Sequence, residues 1–114
     1  MRIVKDKILL KELKGVALET FGELVKATVD VAKEIMVIGG ELHSDQEAVL
    51  LSSGSSQKDI WGINLYPDKY PQDSWLEFDS IINLRPSFGN KTRGIDNPEI
   101  RKKIIEIVNK LVVG

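Results

Sequence analysis

The residues from Val25 to Ile38 constrain the fold more than any other part of the chain. Apolar and polar residues alternate from Val25 to Val31, and a continuous apolar run follows from Ile35 to Ile38. Alternation with a period of two is typical of a strand with one buried face and one wet face, whereas a short apolar run suits a more central strand. The polar turn between the two segments predicts a β-hairpin, and therefore an antiparallel sheet.

A second hairpin is predicted further along the chain. Its first strand is expected from Ile60 to Tyr66, where Pro67 stops it, and its second strand from Trp75 to Leu84. If Tyr66 faces Trp75, alternation sends the polar side chains of both strands to one face and the apolar ones to the other. That polar face is expected to carry Asn64, Tyr66, Glu77, Asp79, Asn83 and Arg85.

Hydrophobic spacing of three and four residues, together with capping signals, predicts three helices. The first runs from Leu9 to Thr20, and the second runs from Ser44 to Ser53. Ser44 and Glu47 have the spacing of a capping box for the second helix. The third helix begins at Pro98, with Asn97 as its N-cap.

These elements define the expected fold class. A short first strand from Arg2 to Lys5 completes the order strand–helix–hairpin–helix–hairpin–helix. Hairpins favour an antiparallel sheet with helices on one face. We therefore predict an α+β fold in which a mostly antiparallel sheet of about five strands and three helices form two layers. A chain of 114 residues is expected to form one domain, residues 1–114.

Composition excludes several classes of function. The chain has no cysteine, so disulfides, thiolate catalysis and cysteine-based zinc sites are excluded. The formal net charge of −1 gives the whole molecule no strong attraction to nucleic acid or to an anionic membrane. The first residues have no signal-peptide pattern and no apolar run approaches the length of a membrane span. A cytoplasmic protein that uses neither nucleic acid nor membrane as a partner is the expectation.

The loop that follows the second hairpin is a candidate anion-binding site. It begins at Arg85, ends at Arg93, and contains Gly89. Arginine presents a fixed fork of donors that suits phosphate or carboxylate, and glycine lets the backbone approach a ligand closely. The candidate residues of this loop are Arg85, Ser87, Asn90 and Arg93. The alternative is an ordered surface loop in which Arg85 pairs with a nearby carboxylate, such as Glu77, Asp79 or Glu41.

The single histidine, His43, lies among carboxylates and is a second candidate. It has Glu41, Asp45 and Glu47 as sequence neighbours. An imidazole beside carboxylates can transfer protons or ligate a metal ion, so the candidate metal ligands are Glu41, His43 and Asp45. The spacing matches no diagnostic metal motif. The structural alternative is that these residues cap and begin the second helix.

Three long segments of the chain resemble a small bacterial family of unknown function. They run from Gly39 to Leu51, from Gly54 to Pro67, and from Asp79 to Ile95. The residues that match the family pattern are Glu41, His43, Asp45, Gly54, Trp61, Asn64, Pro67, Asn83, Arg85, Pro86, Gly89, Asn90 and Arg93. The resemblance identifies the segments in which a site is expected, and it implies no activity and no cofactor.

The first functional hypothesis is a binding protein for an anionic small molecule or an acidic group of a partner. Arg85 and Arg93 would bind the anion, and His43, Asn64 and Asn83 would close the site.

Two alternatives remain open. A metal-dependent hydrolase acting on a phosphate ester would place metal ligands around His43 and arginines at the developing charge, and it requires His43 and Arg85 to converge. An interaction subunit, such as a homodimer or a partner in a small complex, would use the polar sheet face, an exposed strand edge at Val25 to Val31, or Trp75.

Overall fold

An antiparallel sheet of five strands forms the centre of the molecule. The computed structural model describes all 114 residues. The strands are β1 (Arg2–Val4), β2 (Ile8–Leu9), β3 (Val25–Asp30), β4 (Ile35–Ile38), β5 (Ile60–Leu65), β6 (Leu76–Glu77) and β7 (Val112–Val113). The helices are α1 (Leu10–Glu19), α2 (His43–Ser52) and α3 (Pro98–Leu111). The large sheet has the order β1-β4-β3-β5-β6, and β2 pairs with β7 in a small parallel sheet. The α+β class, the five antiparallel strands and the three helices are confirmed.

The first hairpin forms as predicted and occupies the interior of the sheet. β3 pairs with β4 on one side and with β5 on the other. Its turn is held by Asp30, whose Oδ1 accepts hydrogen bonds from the amides of Ala32 and Lys33, each at 2.9 Å. Ser55 donates to the other carboxylate oxygen of Asp30 at 2.5 Å. Because β3 has a partner on both sides, the expected exposed edge at Val25 to Val31 does not exist.

Helices cover both faces of the sheet, which differs from the expected two layers. Ala27 lies in the main core with Leu13 of α1 and Ile104 of α3. The next residue, Thr28, points to the opposite face, where its hydroxyl donates to Gln46 Oε1 of α2 at 2.8 Å. Alternation distinguished the two faces of β3 correctly, but a polar side chain on a strand can face either water or the polar side of a helix. The arrangement is therefore helix, sheet and helix.

The second hairpin is much shorter than predicted. Asn64 faces Glu77 as expected, but β6 ends there after two residues. The chain then leaves the sheet and forms a short 3₁₀ turn from Ile81 to Asn83. Trp75, proposed as an interface residue, is only 4% exposed, and its ring packs edge-on against Tyr70 at 5.0 Å. The expected face-by-face alternation therefore fails beyond Glu77.

The helix ends follow the predictions only in part. Asn97 caps α3 as expected, because its side chain accepts a hydrogen bond from the Glu99 amide at 2.9 Å. α2 begins one residue earlier than predicted, with Leu42 as its N-cap and no side-chain cap, so the capping box of Ser44 and Glu47 does not form. No helix of the molecule combines the length and the apolar character that a bilayer crossing requires.

Candidate functional site

A cavity of about 160 Å³ brings together three of the predicted site residues, His43, Asn64 and Arg93. We call it the His43 cavity. It lies where the N-terminus of α2 meets the last residues of β5 and the chain after β6. Its lining residues are Lys26, Leu42, His43, Ser44, Asn64, Asp79, Ser80, Ile81 and Arg93. Most of them are polar or charged, so the cavity suits a polar ligand.

His43 is held as a neutral base at the wall of this cavity. The side chain is 6% exposed, and its Nε2–H donates to the carbonyl of Ile63 at 2.7 Å. That bond fixes the tautomer, which leaves the lone pair of Nδ1 without a protein partner. Burial lowers the pKa of His43 below 6.5, partly offset by the bond to Ile63. The imidazole therefore accepts, rather than donates, a hydrogen bond at Nδ1 near neutral pH.

Gly62 makes room for this arrangement. A Cβ atom at this position would lie 2.6 Å from Cβ of Ser80 and 3.1 Å from Cδ2 of His43. These distances are too short for any larger residue without movement of its neighbours. The glycine therefore marks a close approach of side chains to the strand.

Asn64, one of the residues that line the cavity, has an unused acceptor. Its Nδ2 donates to Glu77 Oε1 at 2.9 Å and to the carbonyl of Asp79 at 3.2 Å. These two bonds fix the orientation of the amide. Its Oδ1 is buried and has no hydrogen-bond partner, and the residue is only 8% exposed. A buried polar atom without a partner is uncommon in folded proteins and calls for a donor.

Two cationic side chains also line the cavity. Lys26 lies directly across from Asn64 in the pairing of β3 with β5. Arg93 forms an ion pair with Asp79 through Nε at 2.8 Å, while its side chain stays 59% exposed. Because that pair uses Nε, both terminal nitrogens of the guanidinium remain available for a ligand. Lys26 and Arg93 therefore add positive charge to a cavity that has one carboxylate, Asp79.

The N-terminus of α2 supplies a further positive potential. Leu42 offers no side-chain acceptor, so the amides of the first turn, including those of His43 and Ser44, have no cap. The N-terminus of a helix carries about half a positive charge and presents free N–H groups, which favours anions. Leu42, His43 and Ser44 all line the cavity.

Asn83 and Asn90 serve the framework instead of the cavity. The Asn83 side chain accepts from the Gly62 amide at 2.8 Å and donates to the Gly62 carbonyl at 2.9 Å. It therefore takes the place of a neighbouring strand along the edge of β5 that β6 does not reach, which we call the open side of β5. The Nδ2 atom of Asn90 donates to the carbonyls of Asn83, Thr92 and Gly94, and its Oδ1 accepts from the Asp96 amide at 2.8 Å. Neither residue has a free polar atom for a ligand.

Arg85 also binds the open side of β5, away from the His43 cavity. Its guanidinium donates to the carbonyls of Gln57 and Ile60, the latter at 2.7 Å. It stacks on Trp61, with 4.3 Å between the guanidinium carbon and the ring centroid. Trp61 belongs to the main core, on the opposite face from Gly62 and His43. Ser87 is exposed in the turn that follows.

A comparison with protein families places the chain among its relatives. Residues 2–111 match the family described as "Protein of unknown function (DUF5674)". The chain belongs to this family. The matched range includes every residue that lines the His43 cavity, so the cavity is built within the DUF5674 domain. No curated protein and no solved structure matches the chain.

The metal ligands predicted from sequence do not assemble in this DUF5674 protein. No group of three histidine or carboxylate side chains is close enough to hold a metal ion. Glu41 and Asp45 are exposed, and neither lines the His43 cavity. Arg85 does not line it either. The convergence of His43 with Arg85 and metal ligands, which a metal-dependent phosphate-ester hydrolase requires, is therefore not present.

Sequence reasoning missed four polar residues of the DUF5674 site. Lys26, Ser44, Asp79 and Ser80 line the His43 cavity, although none was selected as a candidate. Lys26 had a usable signal, because alternation along β3 places it on the same face as Thr28, toward α2. Ser80 had none, because its burial depends on Gly62 in a distant segment.

Proposed function

We propose that this protein binds a small anion that also carries a hydroxyl group, and that the His43 cavity is the site. Lys26, Arg93 and the uncapped amides of α2 attract the anionic group. The hydroxyl group is needed because the cavity also presents acceptors. Such a molecule is a phosphorylated small polyol or a short hydroxy acid.

The unpartnered Oδ1 of Asn64 carries this proposal. An unsatisfied buried acceptor costs about 1–3 kcal/mol, and the other atoms of the Asn64 amide are already committed. The neutral Nδ1 of His43 is a second acceptor on the same cavity. A simple anion offers nothing to these two atoms, whereas hydroxyl hydrogens can bind both.

The size of the cavity sets an upper limit on the ligand. Its volume of about 160 Å³ lies below the range of about 300–1,000 Å³ that is usual for drug-sized ligands. A three-carbon phosphate is therefore a suitable probe, and a nucleotide would extend into solvent.

The test measures thermal unfolding and calorimetric binding with glycerol phosphate. We expect a saturable rise in the melting temperature, because a ligand that binds only the native state stabilises it by mass action. Glycerol lacks the charge and methyl phosphate lacks the hydroxyls, so both are expected to bind at least about tenfold more weakly, the loss that corresponds to one charge-assisted hydrogen bond.

Two arginine variants locate the site. Arg93→Gln is expected to weaken glycerol phosphate binding about tenfold while the fold persists, since the side chain is mostly exposed. Arg2→Gln is the matched control, because Arg2 is also half exposed and also pairs with a carboxylate, on Glu12. Equal loss in both variants, or no binding by the unmodified protein, contradicts the proposal.

A further inference from the structure

Beside a second cavity, on the opposite face of the sheet, lies a buried cation without a counter-charge. Arg85 is 8% exposed and forms no ion pair with any carboxylate. Its guanidinium lies between two aromatic rings, Trp61 at 4.3 Å and Phe88 at 5.7 Å from the guanidinium carbon. Burial lowers the pKa of Arg85, and Glu47 acts on it only through space. A buried charge is costly unless it is paired.

Two nitrogen donors at this place have no acceptor. Arg85 uses its terminal nitrogens on backbone carbonyls, but its Nε is buried and unpartnered. Nε1 of Trp61 is likewise buried and unpartnered, in a residue that is 5% exposed. Most buried donors in folded proteins have a partner, so two adjacent exceptions beside one unpaired charge indicate a missing acceptor with negative charge.

Trp61 and Phe88 are also walls of an open cavity of about 290 Å³. We call it the Arg85 cavity after the cation that contacts these two walls, although Arg85 itself does not line it. Its other lining residues are Lys58, Gly89, Asn90, Asn97 and Ile100. Phe88 is 56% exposed, so its ring presents apolar surface at the cavity. Trp61 and Ile100 add further apolar surface, and Lys58, which pairs with Asp59 at 3.1 Å, also lines the cavity.

We propose that the Arg85 cavity binds an apolar or aromatic carboxylate. Both donors are closed to solvent, so the exposed ring of Phe88, which lies over the guanidinium, turns aside to admit the ligand. The carboxylate then accepts from Trp61 Nε1–H and Arg85 Nε–H and neutralises the buried guanidinium, and the apolar part lies against Phe88 and Ile100. A free aromatic acid and the carboxyl end of a peptide share this chemistry. The proposal is independent of the His43 cavity, because the two cavities have no lining residue in common.

The indole N–H signals of the two tryptophans provide a direct test in a proton–nitrogen NMR spectrum. Trp61→Phe assigns them, because one signal disappears while the ring is retained. Benzoate is expected to move the Trp61 signal in a saturable manner and to leave the Trp75 signal in place. Benzamide, which has the same shape without the charge, is expected to bind at least about tenfold more weakly.

A second pair of probes separates the two sources of the carboxylate. N-acetylphenylalanine imitates the carboxyl end of a peptide. N-acetylphenylalanine amide, in which the carboxylate is replaced by a carboxamide, is its uncharged control. Tighter binding of N-acetylphenylalanine than of benzoate supports a peptide carboxyl terminus as the occupant, and the reverse order supports a free aromatic acid.

A variant of the exposed residue Phe88 tests the cavity without disturbing the buried core. Phe88→Ala is expected to weaken benzoate binding about fivefold or more, because a large apolar contact is lost. Ile105→Ala, on α3, removes a similarly exposed apolar side chain outside the cavity and is expected to change nothing. A Trp61 signal that stays unmoved at saturating benzoate, that moves equally with benzamide, or that responds equally in Phe88→Ala overturns the proposal.

Discussion

His43 shows how one hydrogen bond fixes the chemistry of a residue. The carbonyl of Ile63 can only accept, so the imidazole must donate through Nε2, at 2.7 Å. Burial disfavours the imidazolium, and the charges of Lys26 and Arg93 add to this effect, whereas Asp79 opposes it. The sequence placed His43 among carboxylates, but the groups that determine its charge come from three other segments.

The depressed pKa of His43 predicts a pH dependence of stability. Between the lowered native pKa and the unfolded value of 6.5, the unfolded chain binds the proton more readily than the native protein does. The contribution of His43 to the free energy of unfolding is therefore expected to be complete above pH 6.5 and to decrease as the pH falls from 6.5 toward the native pKa. Urea denaturation between pH 7.5 and 5, compared with the same series for His43→Gln, measures the effect.

The single imidazole makes this prediction easy to verify. An NMR titration of the His43 ring protons should give a native pKa below 6.5. A native pKa above 6.5, or an identical pH dependence in His43→Gln, contradicts the assignment.

At the scale of elements, α2 has no side-chain cap at its N-terminus, which lines the His43 cavity. Leu42 occupies the N-cap position and is 53% exposed, although serine, aspartate or asparagine at this position stabilises a helix. The sequence predicted Ser44 as the N-cap, two residues after the observed Leu42, because Ser44 and Glu47 have the spacing of a capping box. The difference is informative: a missing cap leaves the first-turn amides available to a ligand.

Leu42→Asp is expected to separate stability from binding. The new carboxylate caps α2 and raises the free energy of unfolding by about 0.5–2 kcal/mol, but it occupies the amides and repels an anion, so glycerol phosphate should bind more weakly. Leu51→Asp, in the last turn of α2, introduces the same charge at a similarly exposed leucine and should lower stability without affecting binding. Equal or tighter binding in Leu42→Asp contradicts the role of the amides.

Along the edge of β5 that the short β6 leaves unpaired, side chains bind the backbone N–H and C=O groups that a neighbouring strand would otherwise bind. Asn83 satisfies both polar groups of Gly62, and Arg85 binds the carbonyls of Gln57 and Ile60. The sequence predicted a strand from Trp75 to Leu84 here, since the alternation continues past Glu77. A regular pattern cannot show whether the backbone or a side chain supplies the hydrogen bonds.

Asn83→Leu tests whether the Asn83 side chain provides the hydrogen bonds that a neighbouring strand would otherwise provide. The buried N–H and C=O of Gly62 would each lose a partner at about 1–3 kcal/mol, so the free energy of unfolding should fall by about 3 kcal/mol. Amide exchange of Gly62 should also become faster. Asn109→Leu, at an exposed position of α3, is the control and should have little effect on either measurement. A loss below about 1 kcal/mol would mean that water satisfies Gly62.

For the whole molecule, local patterns predicted the elements, and distant contacts determined the sites. The strands from Val25 to Ile38 and the start of α3 at Asn97 follow from spacing and capping alone. The roles of Asn83, Asn90 and Arg85 do not, because each depends on which backbone groups the rest of the fold leaves unpaired. Polar residues at a sheet edge therefore cannot be divided into ligand-binding and structural ones before the topology is known.

The central sheet predicts that the two cavities act independently. Trp61 and Gly62 are consecutive residues of β5 and face opposite sides, so the Arg85 cavity and the His43 cavity are separated by the sheet itself. Repulsion between the two bound anions is largely screened at physiological salt, where the Debye length is about 8 Å. The affinity for glycerol phosphate should therefore change less than about twofold when benzoate is saturating, and the reverse should also hold, because coupling free energies are reciprocal.

Calorimetric titration of each anion in the presence of the other measures this coupling. Besides β5, the loop from Arg85 to Arg93 is a short covalent path between the two cavities, because Asn90 lines the Arg85 cavity and Arg93 lines the His43 cavity. Asn90 holds that loop through the carbonyls of Thr92 and Gly94, which should keep Arg93 fixed when Phe88 moves to admit a ligand. A coupling of tenfold or more would show instead that the loop transmits the occupancy of one cavity to the other.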